Sequence, residues 1–258
     1  MTRHKYAVSG KGGVGKSTFA AALAYVYAEK GLRVYAIDAD PDGNLAAALG
    51  FPPELAGQVR PIAEMADLIE ERTGARPGER ATFFRLNPRV QDIPERFAVE
   101  HGGVRLLRMG TVSAGGGGCV CPESALLRAL LAHLTLQREE VVILDMEAGI
   151  EHLGRGTASA VDAFIVVLEP GLRSIQTAMT IRALAADLGV RSIYAVANKI
   201  RNDQDLEFLQ GHLDELPLLG AIPWDEAIIE ADMQGRSAYH AVPRLAAAVR
   251  EIASRLEG

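Results

Sequence analysis

The ten residues SGKGGVGKST at positions 9–18 constrain this chain more than any other segment. They lie between a short apolar run, Lys5-Tyr6-Ala7-Val8, and a helical pattern that opens with Phe19-Ala20-Ala21-Ala22-Leu23-Ala24. Gly10, Gly15, Lys16 and Ser17 match the template G-x-x-x-x-G-K-[ST] in the strand–loop–helix setting that the template requires. Glycine-rich backbone through Gly12, Gly13 and Val14 lets consecutive N–H groups turn inward around phosphate oxygens, and the helix start adds its positive dipole end. Lys16 would reach the β- and γ-phosphates. The Ser17 hydroxyl, with Thr18 beside it in the first turn, would complete a Mg²⁺ shell. The segment predicts a nucleotide site.

The loop carries a second lysine, Lys11, for which a plain phosphate loop has no chemical need. With it, GKGGVGKST resembles the deviant Walker A loop of the MinD/ParA/nitrogenase iron-protein superfamily. In that superfamily the early lysine reaches across a dimer interface to the partner's nucleotide. The resemblance therefore implies a homodimer that binds and hydrolyses ATP, releasing ADP, with Lys11 and Lys16 both serving catalysis.

Seven apolar runs read as strands: Lys5–Val8, Arg33–Ile37, Val104–Leu107, Val141–Leu144, Phe164–Leu168, Ile193–Ala197 and Leu218–Ile222. Helical segments separate them, which indicates an α/β fold. A doubly wound, mostly parallel sheet of about seven strands, with helices on both faces, is the expected architecture. Residues 51–100 read as an insertion, with a helix near Ile62–Arg72, and Glu123–Leu136 has helical periodicity. No linker or repeat interrupts residues 1–258, so one domain is expected.

Acidic residues close the strands, where open α/β sheets bind ligands. Asp145 ends the most apolar run and suits a carboxylate acting on Mg²⁺, through water. Asp38 and Asp40 end the second strand. By the superfamily resemblance, Asp40 orients or activates the attacking water and Asp38 lies near the metal and the switch. Asn198 follows another apolar strand, and its amide offers both a donor and an acceptor to an adenine edge. Ile222-Pro223-Trp224-Asp225 closes the last strand, so Pro223 is expected beside the base.

With a net charge of −6 the chain has no basic footprint for nucleic acid. No apolar stretch reaches membrane-span length, and with the first strand beginning at Lys5 no secretory signal is expected. Two cysteines argue against a disulfide scaffold and suit a reducing cytoplasm. Both fall in one segment, Gly115-Gly116-Gly117-Gly118-Cys119-Val120-Cys121-Pro122. In extended backbone, residues two apart face the same side, so the thiols would point together. A twofold axis through the pair would assemble four thiolates, a set suited to Zn²⁺ and able to hold Ni²⁺, Cu⁺ or an iron–sulfur cluster.

The segments GKGGVGKST, DADPDGNL, GGGGCVCPESALLRALL, DMEAGIEHLGR and EPGLRSIQTA together resemble the CooC-like nickel-insertion accessory ATPases of carbon monoxide dehydrogenase maturation. The resemblance runs over essentially the whole chain. It implies a MinD-type fold, ATP and Mg²⁺, and Ni²⁺ or Zn²⁺ held between subunits by Cys119 and Cys121. It also implies carbon monoxide dehydrogenase as the target, and a switch after Asp145 that includes Glu147, Glu151 and His152. Three other outputs of the same loop are open, the least supported being an amidotransferase-type synthetase of the cobyrinate kind, for which no glutaminase cysteine–histidine region is apparent and the chain is short. An electron-transfer ATPase would place its two cysteines far apart in sequence, unlike Cys119 and Cys121. A MinD- or ParA-like positioning ATPase would attach to a membrane through a C-terminal amphipathic helix. The stripe Leu245, Val249, Ile252 and Leu256 lies in an Ala-rich segment without aromatic residues, so it is expected to pack on the sheet.

Overall fold

The structure is a computed structural model that describes residues 4–77, 83–110, 121–137, 140–148, 161–213 and 216–258. Eight strands among the described residues form one sheet: β1 (Lys5–Ser9), β2 (Val34–Ala39), β3 (Val99–His101), β4 (Val104–Arg108), β5 (Val141–Met146), β6 (Ala163–Leu168), β7 (Ile193–Ile200) and β8 (Leu218–Pro223). Their order is β3-β4-β2-β5-β1-β6-β7-β8. Every neighbouring pair is parallel except β3 and β4.

Continuous apolar runs make the central strands because both faces of this sheet are covered. Tyr6, Ala36, Ile143 and Ile165 point to one face, and Ala7, Ile37, Leu144 and Val166 to the other, following the two-residue period of a strand. On the first face lies α1 (Lys16–Glu29), whose run from Phe19 to Tyr27 is buried throughout. Such a helix, apolar all round, can only be central. The other described helices of at least eight residues are α2 (Ala66–Thr73), α3 (Pro122–Ala132), α4 (Leu172–Asp187), α5 (Asp203–Gln210), α6 (Glu226–Met233) and α7 (Pro243–Glu257). Ala231 of α6 and the Leu245, Val249 and Ile252 stripe of α7 join the core beside α1, with Leu256 packed against it. Buried residues of α2, α3, α4 and α5 cover the opposite face. The arrangement is the doubly wound fold expected.

Three details depart from the sequence expectation. The sheet has an eighth strand, β3, because Gly102 and Gly103 both take positive φ, 57° and 80°, and fold Val99–His101 back onto β4. The expected helix at Ile62–Arg72 divides into a 3₁₀ turn, Ile62–Glu64, and α2, which ends where Gly74 turns left-handed. The expected Glu123–Leu136 helix begins one residue earlier, at Pro122, and widens into a π turn over His133–Gln137. At the far edge of the sheet the Arg255 guanidinium of α7 donates to the Leu219 carbonyl on β8, 2.5 Å away. No described helix is long and apolar enough to cross a membrane.

Candidate active site

The strand ends build the site. After Ser9 the chain turns at Gly10, where a Cβ would stand 2.3 Å from the Val167 carbonyl oxygen of β6, so only glycine lets the loop leave β1 there. The loop returns at Gly15, φ 94°, where a Cβ would meet the Asn198 amide nitrogen at 2.3 Å, and α1 starts with Lys16. Gly12, Gly13, Gly15, Lys16, Ser17 and Thr18 line a cleft of about 530 Å³, opposite Asn198, Pro223 and Trp224. The structure therefore brings the phosphate-loop residues and the expected base-side residues around one cavity.

Strand register sets the acidic cluster. Asp145 lies level with Val8 on β1 and with Asp38 on β2, so the two carboxylates sit side by side on the face that α1 covers. Burial pushes the Asp145 carboxyl up to about 7; the nearby Ser17 hydroxyl and Lys16 charge oppose that rise, and Asp38 and Asp40 add to it. Neither Asp145 oxygen makes a well-formed hydrogen bond among the described residues. Burial also raises Asp38, to about 6, against hydrogen bonds from the Leu45 and Asp40 backbone N–H groups and the charge of Arg108, its neighbour on β4. A buried carboxylate with orphaned oxygens, beside a serine hydroxyl and a second carboxylate, is an oxygen donor set that fits Mg²⁺.

Asp40 pairs with Lys16, Oδ2 to Nζ 3.4 Å, and its Oδ1 accepts from the Asp42 N–H at 3.0 Å. Both side chains are largely buried, so the pair is held at the cleft floor. Lys11 differs: it is half-exposed, and its side chain has no hydrogen bond or ion pair among the described residues. The Asn198 amide donates to the Val14 carbonyl at 2.7 Å, and its oxygen accepts from the Lys199 N–H at 2.9 Å. Asn198 thus touches the loop directly as well as lining the cleft.

Several contributors have no local sequence signal. Ser9 Oγ donates to the Glu147 carbonyl at 2.7 Å and so ties β1 to the segment that follows β5. The Arg108 guanidinium lies where a Cβ on Gly43 would stand, and it covers the loop after β2. Lys199 contacts both the phosphate loop and Glu169 at the end of β6. Cys121 caps α3, half-buried, with its thiol donating to Ser124 Oγ at 3.1 Å. Cys119, Glu151 and His152 lie outside the described residues. No cluster of three or more metal-ligating side chains occurs among the described residues.

A family model for the CobQ/CobB/MinD/ParA nucleotide-binding domain matches residues 6–238. The carbon monoxide dehydrogenase accessory protein CooC of Rhodospirillum rubrum is 54% identical over 239 residues, covering 93% of this chain and 90% of that protein. An ATP-binding protein of Methanocaldococcus jannaschii is 45% identical over 90% of each chain. Among solved structures, a ParA-family ATPase from Chlorobium tepidum superposes with a TM-score of 0.70 at 18% identity, over 98% of both chains. MinD of Pyrococcus horikoshii, complexed with Mg-ADP, superposes with 0.67 at 18% identity, over 99% of this chain and 96% of that one. At such identities the superpositions establish the fold, and the family match carries the chemistry. With its phosphate loop, acidic strand ends and cleft in place, the chain is an ATPase of the CobQ/CobB/MinD/ParA nucleotide-binding family, and it belongs with the CooC-type accessory proteins.

Proposed function

We propose that this chain is a nucleotide-switched metallochaperone: a single-domain, homodimeric ATPase that holds Ni²⁺ or Zn²⁺ between subunits through Cys119 and Cys121 and assists nickel insertion into carbon monoxide dehydrogenase. The observation that carries this reading is the 54% identity, over nine tenths of the chain, to a carbon monoxide dehydrogenase accessory protein. The pairing of Cys119 and Cys121 in one segment supports it further. The α7 stripe, buried in the core, favours it over a membrane-positioning role.

In this reading the inward N–H groups of the loop and the Lys16 ammonium bind the β- and γ-phosphates of ATP. Ser17 and Asp145 would hold Mg²⁺, Asp145 through water, with Asp38 alongside, and the ion would neutralise the developing phosphate charge. Asp40 orients the attacking water and takes its proton as the water oxygen bonds to the γ-phosphorus and the bond to ADP breaks. Lys16 is already at the Asp40 carboxylate and needs only to turn toward the phosphates. Pro223 and Trp224 form the base side of the cleft.

Lys11 supplies the link between subunits. Lys11→Ala is expected to leave ADP affinity of the monomer within about threefold, because the side chain makes no hydrogen bond or ion pair among the described residues of its own subunit. Nucleotide-dependent dimerisation should be lost, and hydrolysis should fall by about 10²-fold or more, as when a cation supplied in trans is removed. Sedimentation with ATP, beside a phosphate-release assay, reads both effects. If ATP and metal both favour the closed dimer, each must tighten the other's binding by the same factor. Loss of the γ-phosphate would then loosen the metal site and allow transfer.

The test of the whole reading is a Ni²⁺ titration of the reduced protein, with mass read by light scattering, beside the Cys119→Ser/Cys121→Ser double variant. One ion per dimer is expected, with metal-dependent dimerisation lost in the variant. Absence of a tight site, or equal binding by the variant, would remove the metallochaperone output and leave an ATP-switched dimer.

A further inference from the structure

Lys199 is the one non-glycine residue with positive φ among the described residues, at 59°. A lysine has no intrinsic reason to adopt this left-handed conformation, and outliers of this kind cluster where a site demands them. The pairing of β7 with β8 also loses its regular register between Ala197 and Ile200, so Asn198 and Lys199 form a bulge. Bulges beside active sites re-aim side chains. In a regular strand Asn198 and Lys199 would face opposite sides of the sheet. Here both reach the phosphate loop: Asn198 Nδ2 donates to the Val14 carbonyl and Lys199 Nζ to the Gly13 carbonyl, each at 2.7 Å.

We propose that Asn198 and Lys199 form a clamp that presets the phosphate loop for the triphosphate, and that Lys199 is a positioning residue for ATP rather than a contact to its base. In a trans peptide the carbonyl and the following N–H point in opposite directions. Drawing the Val14 carbonyl outward therefore turns the Gly15 N–H toward the loop interior, where phosphate oxygens bind, while the Lys199 bond to the Gly13 carbonyl braces the turn in which the Val14 N–H donates to the Lys11 carbonyl at 3.4 Å. Gly15 is needed for the same fit, because a Cβ there would strike the Asn198 amide. The Asn198 oxygen accepts from the Lys199 N–H, so the acceptor that would read the adenine amino group serves the bulge instead. Glu169 Oε2 receives a second Lys199 N–H at 2.8 Å. The ion pair fixes the ammonium in place at the Gly13 carbonyl.

The inference rests on nucleotide binding alone and is independent of the metal reading. Its test compares MgATP, magnesium tripolyphosphate and MgGTP binding by calorimetry in the unaltered protein and in Lys199→Gly, Lys199→Asn and Asn198→Ala. Glycine and asparagine tolerate the left-handed backbone but cannot reach Gly13. Each variant is expected to weaken ATP and tripolyphosphate by the same factor, about tenfold, the scale of a lost hydrogen bond from a charged group. The ATP-to-GTP preference should be unchanged, and the melting temperature of Lys199→Gly should not fall. Weakened ATP with unchanged tripolyphosphate would overturn the clamp in favour of base reading. Unchanged affinity for both would reduce the contact to a surface ion pair, and affinity losses that follow falling melting temperatures would make it merely structural. Failure of the unaltered protein to bind ATP would remove the nucleotide reading and the clamp together.

Discussion

Asp40→Asn is expected to bind ATP at least as tightly as the unaltered protein and to hydrolyse it about 10²- to 10⁴-fold more slowly, the range that a positioned general base contributes. The change keeps the oxygen that caps the Asp42 N–H, so the loop after β2 should hold its shape. It removes the negative charge from Lys16, whose Nζ stands 3.4 Å from Asp40 Oδ2. A lysine released from that pair is freer to meet the γ-phosphate, which is why affinity should not fall. Single-turnover phosphate release, measured beside equilibrium binding of a fluorescent ATP analogue, separates the two effects. A hydrolysis rate equal to that of the unaltered protein would remove Asp40 from the chemistry and turn attention to Asp38, its neighbour at the end of the same strand.

Asp145→Asn should produce opposite changes in stability and activity. In the metal-free protein, burial lifts the Asp145 carboxyl from an ordinary value of 3.8 to about 7. Between those values the folded chain retains a proton that the unfolded chain has released. The stability contribution is therefore fully present below about pH 4 and lost as pH rises to about 7, an effect on the order of a few kcal/mol. Asparagine carries no titrating charge. The variant should melt on the order of 5–10 °C higher than the unaltered protein at pH 8 in the absence of Mg²⁺, with the difference shrinking toward pH 4. Mg²⁺-dependent hydrolysis should fall by about 10²-fold or more, because in the proposed site the charged carboxylate that holds the ion through water becomes a neutral amide. Thermal melts across pH with a chelator present, beside ATPase assays with Mg²⁺, test both halves. A variant that melts lower at every pH would mean that the Asp145 carboxylate stabilises the fold without metal.

Much of this architecture was readable in advance because the physics is local. A phosphate loop needs particular residue types at fixed spacing, and Asp145 marks the end of an apolar run that only a doubly covered strand would carry. The β3 strand was missed because Val99-Glu100-His101 has no apolar run, and its evidence is the Gly102-Gly103 turn that follows. The lysine clamp could not be read at all. It joins Lys199 to Gly13, 186 positions away, and to Glu169, 30 positions away, through a bulge with no local signature. Asn198 was legible as a cleft residue, since a strand-end asparagine is a natural donor–acceptor, but its hydrogen bond to Val14 depends on β7 lying two strands from β1. The same holds for Arg108, which meets Asp38 only because β4 pairs with β2. Of the thiol pair, Cys121 is seen at the start of α3 and Cys119 lies outside the described residues, so the metal reading rests on sequence and kinship.

The two margins of the sheet have a bearing on how copies of this protein can meet. At one margin, β3 is three residues long and folds back on its neighbour; at the other, Arg255 occupies a carbonyl of β8 that an incoming strand would need. Short or covered edges of this kind discourage strand addition. Edges of this kind work against growing ladders, which have no natural end, and leave the proposed dimer to contacts among loops and side chains related by rotation, which would close on themselves after two copies. A pair built that way can come apart whenever its loops change shape, without breaking a single backbone ladder. In the proposed dimer, margins that discourage strand addition would let an ATP-driven union remain reversible.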